Sequence, residues 1–148
     1  MRKLLVLAAA CLGLWAMAVG VVGVGPASAK SSKPVTLEGK VNNKGTKDIS
    51  TNTSGSIEIE ADDYYFKPTF VKVQPGEKVR ITFKNEGSAT HTFTSTGLSI
   101  DQEVAAGKST HFTLTVPSDG TAFEFHCTFH QGMGMQGAFF TKPGAIAK

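Results

Sequence analysis

The sequence predicts an all-β fold, a sandwich or barrel built from short strands. Apolar and polar residues alternate along much of the chain between Ile57 and Thr141, which is typical of strands with one buried face. Groups of Gly, Pro, Asn and Asp separate these stretches, and no long stretch shows the helical period of about 3.6 residues. All ten phenylalanines and both tyrosines lie between Tyr64 and Phe140, which places the hydrophobic core in this region.

Each predicted strand has an apolar set and a polar set of side chains. The clearest case is the third, where Val79, Ile81 and Phe83 alternate with basic and hydroxyl side chains. The predicted strands lie, in chain order, at residues 57–60, 71–73, 78–84, 91–94, 111–116, 123–127 and 138–141. Turns are predicted at residues 74–77, 85–88, 106–108 and 117–120. Short strands at this spacing indicate a sandwich with a modest core.

The start of the chain resembles an export signal. Arg2 and Lys3 precede an almost unbroken apolar run, and small residues close it at Ala27 and Ala29. We expect residues 1–29 to be a signal peptide that is cut after Ala29. The alternative is an uncleaved anchor acting as a membrane tether, because the run reaches the roughly 20 residues that span a bilayer. Either way the protein is expected outside the cytoplasm: secreted, at the cell surface or periplasmic.

The rest of the chain is divided by composition. Residues 30–55 are rich in Ser, Thr, Asn, Gly and Lys and contain no aromatic residue, which predicts a flexible linker. Residues 56–142 are the predicted folded domain, and residues 143–148 a C-terminal tail. Without Arg2 and Lys3, the 15 basic residues fall to 13, against 12 acidic residues. Because the folded part has no basic excess, we expect no nucleic-acid partner.

One stretch, residues 125–137, concentrates side chains that bind soft metals. After removal of the signal it holds the chain's only cysteine, Cys127, and both methionines, Met133 and Met135, with His126 and His130 beside them. A lone thiol in an exported protein indicates either intermolecular pairing or a bound metal. The cluster therefore predicts a metal site.

The alternation sorts the side chains by face. His91 shares the parity of inward Phe93, and Cys127 shares that of Phe123 and Phe125, so both are expected to face the core. His111 and His126 share the parity of polar residues and are expected to face solvent. Glycines after His130 allow the loop to turn back toward the cysteine. One thiolate, two imidazoles and a thioether form the ligand set of a blue-copper site.

The stretch CTFHQGMGMQG, residues 127–137, resembles the cupredoxin family, and in loop length it is most similar to plastocyanin, whose pattern is Cys-x2-His-Gln-Gly-x-Gly-Met-x-Gly. The resemblance covers about residues 57–141. It implies a Greek-key β-sandwich or barrel of about 7–8 strands and one type 1 copper ion cycling between Cu(I) and Cu(II). It also implies the copper ligands His91, Cys127, His130 and Met135.

The chain departs from the family pattern at three positions and leaves two alternatives open. Phe129 stands where plastocyanin usually has proline, Thr92 where asparagine often ties the two ligand loops together, and His126 where tyrosine is frequent. Met133 is a competing axial ligand, because shorter family loops use Cys-x2-His-x2-Met. Zinc bound with the help of His126 is the other alternative, although a thioether is a poor zinc ligand.

These features predict a one-electron carrier that exchanges electrons with transient redox partners and works as a monomer. The alternative is an extracytoplasmic copper-binding protein for copper delivery or storage without electron shuttling. We do not expect an enzyme, because a dinuclear copper centre needs a second loop cysteine and copper oxidases need further domains and histidine clusters.

Overall fold

The computed structural model describes residues 34–147, so the predicted signal peptide lies outside the described residues. Within this range the chain forms twelve strands, seven of them four or more residues long, and two short 3₁₀ turns. The strands are β1 (Val35–Thr36), β2 (Thr46–Asp48), β3 (Ser56–Asp62), β4 (Tyr65–Lys67), β5 (Phe70–Lys72), β6 (Lys78–Asn85), β7 (His91–Ser95), β8 (Ile100–Val104), β9 (Ser109–Thr115), β10 (Phe123–His126), β11 (Gln136–Phe140) and β12 (Ile146–Ala147). The 3₁₀ turns are Thr96–Leu98 and Gln131–Met133. Between residues 34 and 147, no helix is long and apolar enough to span a membrane.

Two sheets form a sandwich, which confirms the predicted all-β class. One sheet has the order β2-β5-β11-β10-β7-β8, and the other has the order β4-β3-β6-β9. Their facing side chains share one buried cluster. Phe83 of the second sheet meets Phe93 of the first with ring centroids 5.8 Å apart, and Phe93 stacks on Phe125 at 4.6 Å. These interlocked rings give the sandwich a closely packed centre.

The seven predicted strands are all present, because each has an apolar face that the opposite sheet covers. In β6, Val79, Ile81 and Phe83 are buried, whereas Lys78 and Arg80 are exposed. The sequence did not indicate β4 or β8, nor the short strands near the two ends. Strand β8 lies at an edge of its sheet and carries polar residues at most positions, so its apolar pattern is weak.

The predicted flexible linker is wrong for residues 34–55, which are folded. Strand β2 pairs in parallel with β5, and the side chains of Leu37 and Ile49 are 4% and 1% exposed. Ile49 joins the main core, and Leu37 packs in a smaller cluster with Phe70 and Ala138. The polar composition of this segment did not indicate that it is folded. Its order comes from pairing with the edge of a sheet and from two buried apolar side chains, which together offset the entropy lost on ordering.

The predicted C-terminal tail also contacts the body of the protein. Strand β12 pairs in parallel with β1, and the side chain of Ala145 is 5% exposed. The packed body therefore extends beyond residues 56–142 at both ends.

The topology brings distant residues together at one end of the larger sheet. Strands β7 and β10 are antiparallel neighbours, so the start of β7 lies beside the end of β10. His91 is the first residue of β7, and Cys127 follows the last residue of β10. The two are 36 positions apart in sequence but adjacent in space.

Candidate metal centre

Cys127 and His130 meet because the chain turns directly after β10. The amides of His130 and Gln131 both donate to the carbonyl of Cys127, at 3.1 and 2.9 Å. This turn brings His130 Nδ1 to 3.5 Å from the sulfur of Cys127. Cys127 is fully buried and His130 is partly buried, so the sulfur is shielded while one imidazole reaches toward the surface.

His91 completes a triangle of donor atoms. Its Nδ1 lies 3.8 Å from the sulfur of Cys127 and 3.2 Å from Nδ1 of His130. Its side chain is 0% exposed, which confirms the inward position predicted from parity. We searched the described residues for clusters of His, Cys, Asp or Glu side chains whose donor atoms lie close enough together to hold a metal ion. These three side chains form the cluster found.

The triangle has the dimensions of a three-coordinate metal plane. Three donors around one ion at about 2.0–2.3 Å lie about 3.5–3.8 Å from one another. The observed separations of 3.2, 3.5 and 3.8 Å are close to these values. A thiolate with two imidazoles suits copper, because soft sulfur favours the reduced ion and imidazole binds both oxidation states. The residues present therefore fit a copper ion.

Met135 lies at the same end of the sandwich, whereas Met133 points to solvent. The amide of Met135 donates to the carbonyl of His130 at 3.2 Å, and its carbonyl accepts from the amide of Cys127 at 3.1 Å. Its side chain is 0% exposed, compared with 53% for Met133. Burial beside Cys127 thus favours Met135 over Met133 as the fourth donor.

Thr92 ties the two ligand strands together, at the position where the resemblance noted above would often place asparagine. Its amide donates to the sulfur of Cys127 at 3.4 Å, and its hydroxyl accepts from the amide of Thr128 at 2.9 Å. The hydroxyl groups of Thr94 and Thr128 also lie within 3.1 Å of the hydroxyl of Thr92. A hydrogen bond to the thiolate withdraws charge from the sulfur and stabilises the reduced metal.

The outer nitrogen of His91 faces a carboxylate. Its Nε2 lies 3.4 Å from Asp63 Oδ1 but makes no aligned hydrogen bond with any of the described residues. Burial lowers the pKa of His91, and the nearby His130 lowers it further, so the imidazole is neutral at pH 7. With the proton on Nε2, facing Asp63, the lone pair of Nδ1 is free for a metal.

Asp63 is itself held in place. The hydroxyl of Ser88 donates to it at 2.6 Å and keeps the pKa of the carboxyl below its usual value. A Cβ at Gly87 would lie 2.8 Å from His91 Nε2 and 2.6 Å from Asp63 Oδ1, so only glycine allows this approach. The sequence pattern did not single out Asp63, because its link to His91 depends on a loop contact 28 positions away.

Exposed apolar side chains lie on the loops next to His130. Tyr64 packs edge-on against its ring with centroids 5.1 Å apart, and the ring of Phe129 lies 6.3 Å away. Tyr64, Phe129 and Met133 are 44%, 56% and 53% exposed, and they are the large apolar side chains that are exposed among residues 34–147. We call these three residues the apolar rim.

The other two histidines lie outside the centre. His126 Nδ1 is 2.9 Å from a carboxylate oxygen of Glu124, and its side chain is 14% exposed, so it is more covered than the parity suggested. His111 is exposed, and its Nδ1 lies 3.2 Å from the hydroxyl of Thr82. The zinc alternative that required His126 finds no support in this arrangement.

Comparison with known proteins identifies a family. A family model described as a cupredoxin-like domain matches residues 16–140. The copper-resistant cuproprotein CopI of Pseudomonas aeruginosa is 50% identical over 40 residues, which is 27% of this chain. That match spans 22% of the length of CopI.

Solved structures share the fold at low identity. Auracyanin from the photosynthetic bacterium Roseiflexus castenholzii is 19% identical, with a TM-score of 0.51 over 60% of this chain and 98% of its own. A chain of a heme-copper terminal oxidase dimer is 17% identical, with a TM-score of 0.53 over 78% of this chain and 82% of its own. At these identities the likeness concerns the fold alone.

Proposed function

The chain belongs to the cupredoxin family, and we propose that it is an exported type 1 blue copper protein that carries single electrons between redox partners. In this proposal copper is bound by His91, Cys127, His130 and Met135. The observation that carries it is the triangle of two Nδ1 atoms and one sulfur, separated by 3.2–3.8 Å at one end of the sandwich.

A copper ion held there would supply reversible one-electron chemistry. The chain's own residues supply a fixed set of donors. Thr92 holds the sulfur of Cys127, and Asp63 faces the outer nitrogen of His91. Because Cys127 directly follows a strand of the packed core and His91 begins the neighbouring strand, the donors have little freedom to move when the charge changes. A small rearrangement is the requirement for fast electron transfer.

The apolar rim supports electron exchange through His130. Brief encounters between redox proteins use small docking patches, and the three exposed side chains of the apolar rim provide one. His91, Cys127 and Met135 are each fully buried, so the partly exposed His130 is the proposed ligand nearest to a partner. We propose that the partners are transient redox proteins and that the protein is a monomer. We propose no nucleic-acid partner.

Copper delivery or storage is the second candidate function. The 40-residue match to a copper-resistant cuproprotein favours it. The full burial of Cys127 and Met135 favours retention of the metal instead. We place the protein outside the cytoplasm in either case, secreted, at the cell surface or periplasmic, with a membrane tether if residues 1–29 are retained. We propose no catalytic role, although a chain of a terminal oxidase shares the fold.

Spectroscopy of the copper-loaded protein tests the proposal. Copper(II) bound to Cys127 should produce an intense visible band, which Cys127→Ser should abolish. His126→Ala is the matched control, because this histidine lies outside the triangle, and it should keep the band. A band that survives Cys127→Ser would show that the ligand assignment is wrong.

Redox cycling in the presence of a Cu(I) chelator separates the two functions. An electron carrier should keep its copper through repeated reduction and oxidation. A delivery protein should release Cu(I) to the chelator on first reduction, and this result would replace the carrier proposal with the second candidate.

A further inference from the structure

Asn42, in the segment predicted to be flexible, bonds to two separate loops at the metal end of the sandwich. Its side-chain Nδ2 donates to the carbonyl of Tyr64 at 2.7 Å and to the carbonyl of Met133 at 2.9 Å. Its backbone amide donates to the carbonyl of Gly134 at 2.9 Å. One residue therefore donates to three carbonyls, which belong to two loops next to the candidate copper site.

The chemistry of the amide suits this position. Both acceptors of the side chain are carbonyl oxygens, and an NH₂ group has one hydrogen for each of them. A carboxylate of the same shape has only acceptor oxygens and would face both carbonyls without a hydrogen bond. Gly134 accommodates the contact, because its φ is +96° and a Cβ there would lie 3.1 Å from the side chain of Asn42.

The two loops bonded by Asn42 control different parts of the site. Met133 and Gly134 directly precede Met135, the proposed axial ligand, and lead from the 3₁₀ turn after His130 into β11. The rings of Tyr64 and His130 pack in a T-shaped contact with centroids 5.1 Å apart. By fixing both backbones, Asn42 sets the position of the chain before Met135 and of the ring beside His130.

Asn42 is anchored to the body of the protein. The amide of Lys44 donates to the buried hydroxyl of Thr69 at 2.7 Å. That hydroxyl donates to the carbonyl of Phe66 at 2.8 Å, and the carbonyl of Asn42 lies 3.3 Å from it as a longer contact. Before it in the chain, the carbonyl of Lys40 accepts from the side chain of Gln136 at 2.7 Å. Residues 40–44 are thus tied at both ends to β11 and the loop before β5.

We propose that Asn42 is a positioning residue that holds the loop of Met135 and the ring of Tyr64 in place for the copper centre. This inference rests on the proposed copper site for its functional meaning. Its structural part, the restraint of residues 133–135, does not depend on any metal. The two parts are therefore testable apart.

The structural part is tested on the metal-free full chain by amide hydrogen exchange. The reporter is the amide of Met135, which donates to His130, and the reference is the amide of Ile81 at the centre of β6. In Asn42→Ala and in Asn42→Asp we expect Met135 to exchange about tenfold faster, which corresponds to losing two ordinary hydrogen bonds, while Ile81 is unchanged. Asn43→Ala is the matched control, because Asn43 is exposed and its side chain bonds only within its own turn, to the amide of Gly45.

Four results would overturn the proposal. Unchanged exchange of Met135 in Asn42→Ala or Asn42→Asp would show that the amide restrains nothing. Equal acceleration in Asn43→Ala would show that the effect is not specific to Asn42. Equal acceleration of Ile81, or failure of both Asn42 variants to fold, would show a role in global stability instead of local positioning.

The functional part is tested on the copper-loaded protein. Both Asn42 variants should keep the visible thiolate band but lose Cu(I) to a chelator about tenfold faster than the wild-type protein and Asn43→Ala. Equal rates in all four proteins would overturn the link to the metal. If the wild-type protein shows no thiolate band at all, the proposed function fails, and the hydrogen-exchange result still decides whether Asn42 restrains the loop.

Discussion

The ligand-bearing loop, residues 127–135, and the N-terminal segment, residues 34–55, consist mostly of irregular backbone, yet different interactions hold them in place. The loop buries Cys127 and Met135 completely and joins them by a backbone hydrogen bond of 3.1 Å. The segment buries the side chains of Leu37 and Ile49 and otherwise depends on polar contacts such as those of Asn42.

The difference shows two ways of ordering a chain without long strands. Burial of large apolar side chains orders the loop, because it removes their surface from water. The segment combines the burial of Leu37 and Ile49 with polar groups, whose partners are carbonyls and hydroxyls of a scaffold that is already fixed. We therefore expect the two regions to respond differently to substitution.

The largest effect is expected for Met135→Ala. Loss of a fully buried side chain and the resulting cavity should lower the free energy of unfolding of the metal-free protein by about 3 kcal/mol. Met133→Ala, at a side chain that is 53% exposed, should cost about 0.5 kcal/mol or less. Urea denaturation measures both. Similar losses for the two methionines would contradict the burial difference within the loop.

A smaller loss is expected for Ile49→Ala in the N-terminal segment. Ile49 is 1% exposed in the main core, so its truncation should cost about 2 kcal/mol. Lys47→Ala, at an exposed side chain of β2, should cost about 0.5 kcal/mol or less. The same denaturation experiment decides the matter. If Ile49→Ala unfolded at the wild-type urea concentration, the segment would contribute nothing to the core.

The substitution Asp63→Asn tests the polar contact between Asp63 and the proposed ligand His91. Asp63→Asn should weaken copper binding about tenfold, because the outer nitrogen of His91 then faces a neutral amide. Asp48→Asn removes the same charge at a carboxylate that bonds to Lys72, and it should leave copper affinity unchanged. Competition with a chelator of known affinity measures both variants. Equal weakening would mean that overall charge, not contact with His91, determines the affinity.

The smallest effect is expected at Asp48, on the segment side. Hydrogen bonds from Lys72 and Ser50 lower the pKa of Asp48 to about 2. A depressed folded-state pKa stabilises the protein above the ordinary carboxyl value of 3.8, and this stabilisation disappears as the pH falls toward about 2. Nuclear magnetic resonance titration of the Asp48 carboxyl carbon should show this low pKa, and Lys72→Ala should move it upward. An unshifted titration in Lys72→Ala would exclude the lysine as the main cause.

The predictable part of the fold consists of strands that place one face in the core. Alternation in β6 and β9 marked them clearly, since Ile81 and Leu114 are buried and their neighbours in the chain are not. Strand β2 has no such pattern, because all three of its residues are exposed and only its backbone pairs with β5. Hydrophobic periodicity indicates strands that bury side chains, and it does not indicate strands that pair through the backbone alone.

The candidate site divides in the same way. Cys127, His130 and the methionines were visible as a cluster because they are close in sequence, and parity placed His91 on the inner face. No sequence pattern indicated the roles of Asp63, Gly87 and Asn42, because these roles arise from contacts between loops. Polar residues in loops follow no regular spacing in the sequence, so their hydrogen-bond partners are not predictable from it.

By itself the sequence determined the all-β class, the inner face of each main strand and the types of donor atom gathered for a metal. Those properties are local, since residue type and spacing along one strand or loop decide them. Only the tertiary structure decided that the polar segment at residues 34–55 is folded, that Met135 and not Met133 is buried, and that Asn42 and Asp63 adjoin the site. These outcomes depend on which groups from distant parts of the chain come into contact, and those contacts exist only once both sheets have packed.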